Sequence, residues 1–222
     1  MGGTIPAAQV CALNAWARRE LDDWAARPCF DAVRKARGGA GLIDYGVPRG
    51  GGGRSVVYAD FLARDASGAH VPHVDAEATQ WLWHGGVRRV VTGHMPWGSE
   101  PTVIVAASAE CRGRDVADGS VRVIACDTSY SGASVTDRGC AVAACTVRID
   151  DDGADSTRLE GVRADGTRFD FVAELDAHIG RPTAGGWFVK TRLGTGEYIL
   201  CRSRPGAELS SQVEYKTTAE IF

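Results

Sequence analysis

The chain has 222 residues, 44% hydrophobic and 24% charged, with a formal net charge of −3. That is ordinary globular composition, enough for one domain or a domain with an appendage. The charge balance points away from nucleic acid or an anionic membrane as partner, and the isolated pairs Arg18-Arg19 and Arg88-Arg89 read as solvated faces rather than a phosphate track.

No apolar run approaches the roughly 18 residues that would suggest a membrane span. The opening MGGTIPAAQV lacks the basic start and apolar stretch of a secretory signal. Seven cysteines stand at 11, 29, 111, 126, 140, 145 and 201, without a C-x-x-C among them. The odd number argues against a disulfide framework, and the missing spacing against a zinc ribbon. Most flank apolar residues, as in VIAC and AVAAC, so reduced, buried thiols in a cytoplasmic setting are expected.

In chain order, residues 7–26 read as an amphipathic helix. Val10, Leu13, Ala17, Leu21 and Trp24 recur at three- and four-residue steps, and Pro28 ends the segment. Residues 36–54 are glycine-rich and read as a loop. Their GGGG is no phosphate-binding P-loop, since no G-K-[ST] follows. SVVYADFL (55–62) reads as a short strand or extended segment. Asp75 caps a helix, DAEATQWLWH, which Gly85-Gly86 terminates. Residues 87–92 form a strand, giving a helix–strand unit of the α/β kind. Thereafter TVIVAA, VRVIAC, AVAACTVRI, RLEGV, RFDFV, GWFVK and EYILC are short β runs separated by turns such as DDG, ADG and LGTG.

The residue that stands out is His94, in VVTGHMP, directly after a strand. Loops at the carboxyl ends of strands are where open α/β sheets place their chemistry. Gly93 would allow a tight turn there, and Pro96 would stiffen the exit. His94 is then either a metal ligand or acid/base group, or a loop histidine bonded to nearby backbone. Asp127 and Tyr130 end the strand VRVIAC. Asp127 either orients His94 or caps a turn. Tyr130 either faces a substrate phosphate or packs. His70 and His73, with Asp75, have the form H-x-x-H-x-D, but Val71-Pro72 makes an extended loop and Asp75 is employed as a helix cap. No cysteine has an arginine six positions on, and there is no G-x-S-x-G, which disfavours cysteine phosphatases and typical serine hydrolases.

The run from VVTGHMP through PTVIVA to VRVIACDTSYS (121–131) resembles the last part of a calcineurin-like metallophosphoesterase domain. In that family a strand ends in Gly-His-x-Pro or Gly-His-x-His, and a later strand ends in Asp-Thr or Asp-x-Gly. The likeness is closest to the bacterial-type and algal protein-phosphatase-like branches. There an upstream P-x-W/Y-x-D/R segment resembles SVVYADFL. The resemblance implies that His94 is a ligand of a centre of two divalent metal ions, with Gly93, Asp127 and Tyr130 nearby. It also implies that Gly2-Gly3 match a His-Gly-Gly motif whose histidine would fall on Met1. The implied fold is α/β: a partial two-sheet metallophosphoesterase sandwich over residues 1–135, the C-terminal half of that domain, with a β-rich extension over 136–222 that includes IGRPTAGGWFVK. The implied activity is hydrolysis of phosphate esters, on a phosphorylated small molecule or phosphoprotein.

The chain departs from the family pattern. It has no Gly-Asp and no Asn-His pair, and its one asparagine, Asn14, lies in the first helix. Two-metal hydrolysis needs ions roughly 3.5–4 Å apart that clamp the phosphate and acidify a water. A lone imidazole cannot hold two ions, and the Met1 thioether is a poor substitute for imidazole on a borderline ion. The chain is therefore expected to be a truncated part of such an enzyme. The alternative is an inactive fragment or binding module on the same fold, open to self-association through an exposed sheet edge.

Overall fold

A computed structural model describes residues 6–29, 37–47, 55, 74–93, 96–107, 119–128, 139, 141–151, 155–203 and 213–220. The chain forms two compact units, residues 1–60 and 61–222. It is mixed α/β, with three small sheets and few helices among the described residues.

In the first unit, α1 (Pro6–Ala26) is followed by α2 (Ala40–Gly46). The second helix falls inside the stretch expected to be a loop. The glycines that suggested a loop serve close approach instead. A Cβ on Gly38 would stand 2.1 Å from the Asp23 carbonyl oxygen, and one on Gly41 2.8 Å from Glu20 Oε2. The first amides of a helix lack intrahelical partners. Here the Gly39 N–H donates to Asp23 Oδ2 at 3.0 Å and the Leu42 N–H to Glu20 Oε2 at 3.2 Å. Hydrogen bonds from Arg27 and then from the Gly39 N–H hold the Asp23 carboxyl below its usual range. This polar clamp also turns α1. Leu13, Trp16, Ala17, Glu20 and Asp23 are half-buried, whereas Val10 and Leu21 of the expected stripe are 55% and 50% exposed. Trp16 meets Tyr45 edge-on, ring centroids 5.3 Å apart.

In the second unit, α3 (Ala76–His84) is capped as expected. The Asp75 side chain accepts from the Glu77 and Ala78 amides at 2.9 and 3.0 Å. Gly86, at φ 79°, carries the chain out in a conformation that favours glycine. Sheet 1 has the order β1 (Arg89–Thr92), β3 (Ser120–Ala125), β2 (Thr102–Ala107); β1 runs parallel to β3 and β2 antiparallel to it. Sheet 2 is the meander β4 (Ala141–Ile149), β5 (Asp155–Arg163), β6 (Arg168–Val172). Sheet 3 is the meander β7 (Phe188–Arg192), β8 (Tyr198–Ser203), β9 (Val213–Thr217).

Period-two alternation divides the apolar residues between two cores. Val103, Ile124, Val189 and Leu200 join Leu159, Phe169 and Phe171 in one. Their chain neighbours Ile104, Val123, Phe188 and Cys201 join Trp97 in the other. The three sheets thus share cores, and residues beyond 136 pack with the strands that precede them. Sheet 2 ends at β4, whose outer edge has no strand beside it among the described residues. Val142, Val147 and Ile149 of that strand are exposed.

A carboxylate ties sheet 1 to sheet 2. Glu174 accepts from the Thr157 amide (2.6 Å), the Thr157 hydroxyl (3.0 Å) and Arg89 Nη2 (3.1 Å). Removing it leaves Arg89, itself only 10% exposed, with Asp155 at 3.1 Å as its remaining acid. Glu174→Ala is expected to cost about 2–3 kcal/mol in urea unfolding. A loss below about 0.5 kcal/mol, the range of ordinary surface substitutions, would show that the sheets need no such tie.

Candidate functional site

The parallel pair β1/β3 sets the geometry of the proposed site. Its register aligns Thr92 with Ala125, and the Cys126 amide donates to the Thr92 carbonyl at 2.9 Å. Both strands therefore end at the same edge of sheet 1. Gly93 follows β1 there and is exposed; Asp127 follows β3 and is half-buried. His94, Tyr130, Gly2 and Gly3 lie outside the described residues, as do Met1, His70, His73 and all of SVVYADFL except Ser55. Gly93 needs no glycine for its own sake: its φ is not positive, and nothing lies within 4 Å of where a Cβ would stand.

The end of β3 is anchored beyond Asp127. The Thr128 hydroxyl donates to the Ala141 carbonyl at 3.0 Å, and the Gly139 amide donates to the Thr128 carbonyl at 2.7 Å. These bonds hold the exit of β3 against the start of β4.

The exit of β1 leads into a buried segment the sequence did not advertise. Every residue from Trp97 to Ile104 is buried. The Ser99 amide donates to the Tyr215 hydroxyl oxygen at 2.6 Å. Lys190, fully buried, donates from Nζ to the Trp97 carbonyl and to the Thr102 hydroxyl, each at 2.5 Å. Lys190 occupies a β-bulge, for the β7/β8 register shifts between Val189 and Thr191. A bulge re-aims a side chain, and here it aims an ammonium stem beside the Trp97 ring, 5.6 Å from its centroid. Burial lowers the Lys190 pKa, partly offset by Cys201 and Glu100. Burial raises the Tyr215 and Cys201 pKa values.

Glu100 is also fully buried, and its carboxylate oxygens accept no hydrogen bond among the described residues. Arg163 Nε lies 2.9 Å from Glu100 Oε1 and supplies the countercharge. The cluster fixes the segment that leaves the β1 edge. Two shallow depressions, of about 510 and 240 Å³, lie elsewhere, around Gly166 and Gly194 and around Gly161 and Asp170.

Among the described residues, no group of three or more His, Cys, Asp or Glu side chains comes together around one point. No helix among them is long and apolar enough to cross a membrane. The chain matches no protein-family model, no curated protein and no solved structure.

Proposed function

We propose that this chain carries the His94-bearing part of a metal-dependent phosphoesterase, its sheets forming part of a two-sheet metallophosphoesterase sandwich. The observation that carries the reading is the parallel β1/β3 pair, which ends with Gly93 and Asp127 on neighbouring strands at one edge. His94 follows Gly93 directly and serves as the ligand; Asp127 orients its ring. Divalent metal ions bound there would polarise a phosphate ester and supply the hydrolytic water. The described residues do not by themselves make up a ligand set.

The expected behaviour is weak manganese binding with no sustained turnover. Titrating manganese and following its electron paramagnetic resonance signal should show a weak site that His94→Ala abolishes. p-Nitrophenyl phosphate should be hydrolysed far below the roughly 10 per second of a typical enzyme. Manganese binding that is unchanged in His94→Ala would sink the assignment of the ligand.

The second reading is a non-catalytic binding module on the same sheets. The shared cores of sheets 1, 2 and 3 favour it, since residues 61–222 make a compact unit. That reading expects cooperative melting with no response to manganese. Either reading leaves the β4 edge open to self-association. Ile149→Lys, at a position 74% exposed, should lower the apparent mass in concentration-dependent light scattering. A monodisperse wild-type monomer of 23.5 kDa would dispose of the association.

A further inference from the structure

The outer strand of sheet 2 is long, regular and almost uncharged. β4 pairs with β5 over its full length, Ala141 to Ile149, without a bulge, and Arg148 is its single charged residue. Edge strands are ordinarily blunted by shortness, lysine, proline or a bulge. β4 has none of these.

Its neighbour settles which main-chain groups are free. The Arg163 amide donates to the Thr167 carbonyl, and the Thr157 carbonyl accepts from the Ala173 amide, so both residues turn their main-chain groups away from β4. Their partners across the ladder, Ala141 and Val147, therefore turn theirs away from β5. By alternation Ala143, Cys145 and Ile149 do the same. The Ala141 carbonyl already accepts from the Thr128 hydroxyl. Ala143, Cys145, Val147 and Ile149 remain as the bonding edge. Their side chains share the face of Ala141, which is fully buried, yet Val147 and Ile149 overhang the core and are 41% and 74% exposed.

We infer that β4 pairs antiparallel with β4 of a second copy of this chain, about a two-fold axis at Thr146, joining two three-stranded sheets into one. The inference deepens the self-association of the β4 edge into a closed dimer, and it needs neither His94 nor a metal. In this register Ala143 stands opposite the partner's Ile149, and Cys145 opposite the partner's Val147. Each small residue meets a large one, and each overhang lies beside the partner's core-facing residues. All four free positions are used. On the other face Thr146 meets the partner's Thr146 and Ala144 meets the partner's Arg148, so no like charges stand opposite one another.

The adjacent registers are worse. Moving the axis to Cys145 sets Ile149 against the partner's Ala141, whose carbonyl is occupied. Moving it to Val147 leaves Ala143 unused and brings the two Arg148 side chains to diagonal positions, within reach of each other's charge. The contact is isologous and consumes the same edge in both copies, so assembly stops at two.

The test uses the full chain in light scattering over a concentration series, with Thr146→Cys and Ala144→Cys made in a Cys11→Ser background. Thr146 and Ala144 are exposed, so neither substitution disturbs the core. At the axis the two copies of residue 146 stand about 4.5 Å apart between Cα atoms, within the range of a disulfide. The two copies of residue 144 are offset by roughly 13 Å along the strands, too far to bridge. The mass should rise with concentration and level off at twice 23.5 kDa. Under mild oxidation Thr146→Cys should give a covalent dimer on non-reducing electrophoresis, and Ala144→Cys should not. A mass that stays at 23.5 kDa would overturn the dimer. A mass that climbs without levelling would overturn its closure, and equal linking of the two variants its register.

Discussion

Lys190→Ala is expected to destabilise the protein by about 3–5 kcal/mol. The substitution removes three buried methylenes, each worth about 0.8 kcal/mol. It also leaves the Trp97 carbonyl buried without its donor, at a further cost of about 1–3 kcal/mol. Lys190→Met separates the two contributions, since it keeps the stem and loses only the donor. It should sit about 2 kcal/mol above the alanine variant in chemical denaturation. Equal losses for the two would mean that the stem contributes nothing, against its complete burial.

The same lysine makes stability depend on pH, and the sign is determined. Its folded pKa lies below the ordinary 10.5 because burial disfavours the charged form. Between the two values the unfolded chain binds the proton more than the folded chain does. Stability therefore rises with pH through that window, and falls as pH drops toward the lowered folded value. Lys190→Met should flatten this rise. A pH profile identical in the two proteins would contradict a depressed lysine.

Gly98→Ala is the second substitution with a large expected effect, about 3–5 kcal/mol. Gly98 has φ 78°, where a side chain is strained by about 1–3 kcal/mol. A Cβ there would stand 2.1 Å from the Tyr215 hydroxyl oxygen and 3.0 Å from its ring carbon. Relieving that overlap means moving Tyr215, which accepts the Ser99 amide and packs against the core of Trp97 and Phe188; overpacking of this kind costs about 1–3 kcal/mol. Tyr215→Phe removes the closest atom. The double variant should therefore lose less than the sum of the singles, and strict additivity in melting would show that the two residues are not in conflict.

Much of the architecture was legible in the amino-acid order. Short β runs bounded by turns, TVIVAA, AVAACTVRI and RFDFV, marked β2, β4 and β6, and Asp75 with Gly85 marked both ends of α3. Two elements escaped. Glycines that suggest a loop in isolation instead allow α2 to approach the α1 backbone, a tertiary fact no local pattern contains. VEYKT, the strand β9, carries Glu214 and Lys216 among its five residues amid polar sequence, so its apolar signal is weak.

The candidate site was legible only in outline. A strand ending before His94 and another ending before Asp127 could be read, and so could the α/β pattern. Their parallel pairing is a matter of topology and could not. The polar cluster behind them was hidden for a different reason: Lys190 ends the β run GWFVK, and no local pattern there marks the bulge at which it is buried.

That bulge also bears on how the chain finds its own alignment. In most half-buried sheets, a one-residue slip throws apolar groups into water and so corrects itself. Strands β2, β7 and β8 have apolar residues on both faces, one set for each core. A slip would merely exchange the two sets, and hydrophobicity alone would hardly notice. Polar contacts do notice. Only the observed alignment brings the Lys190 ammonium to the Trp97 carbonyl and the Thr102 hydroxyl. A slip would bring Val189 or Thr191 there and leave the lysine stranded in an apolar core. A single buried cation thus works as an index mark for the assembling sheets, rejecting misalignments that oil-like packing would accept.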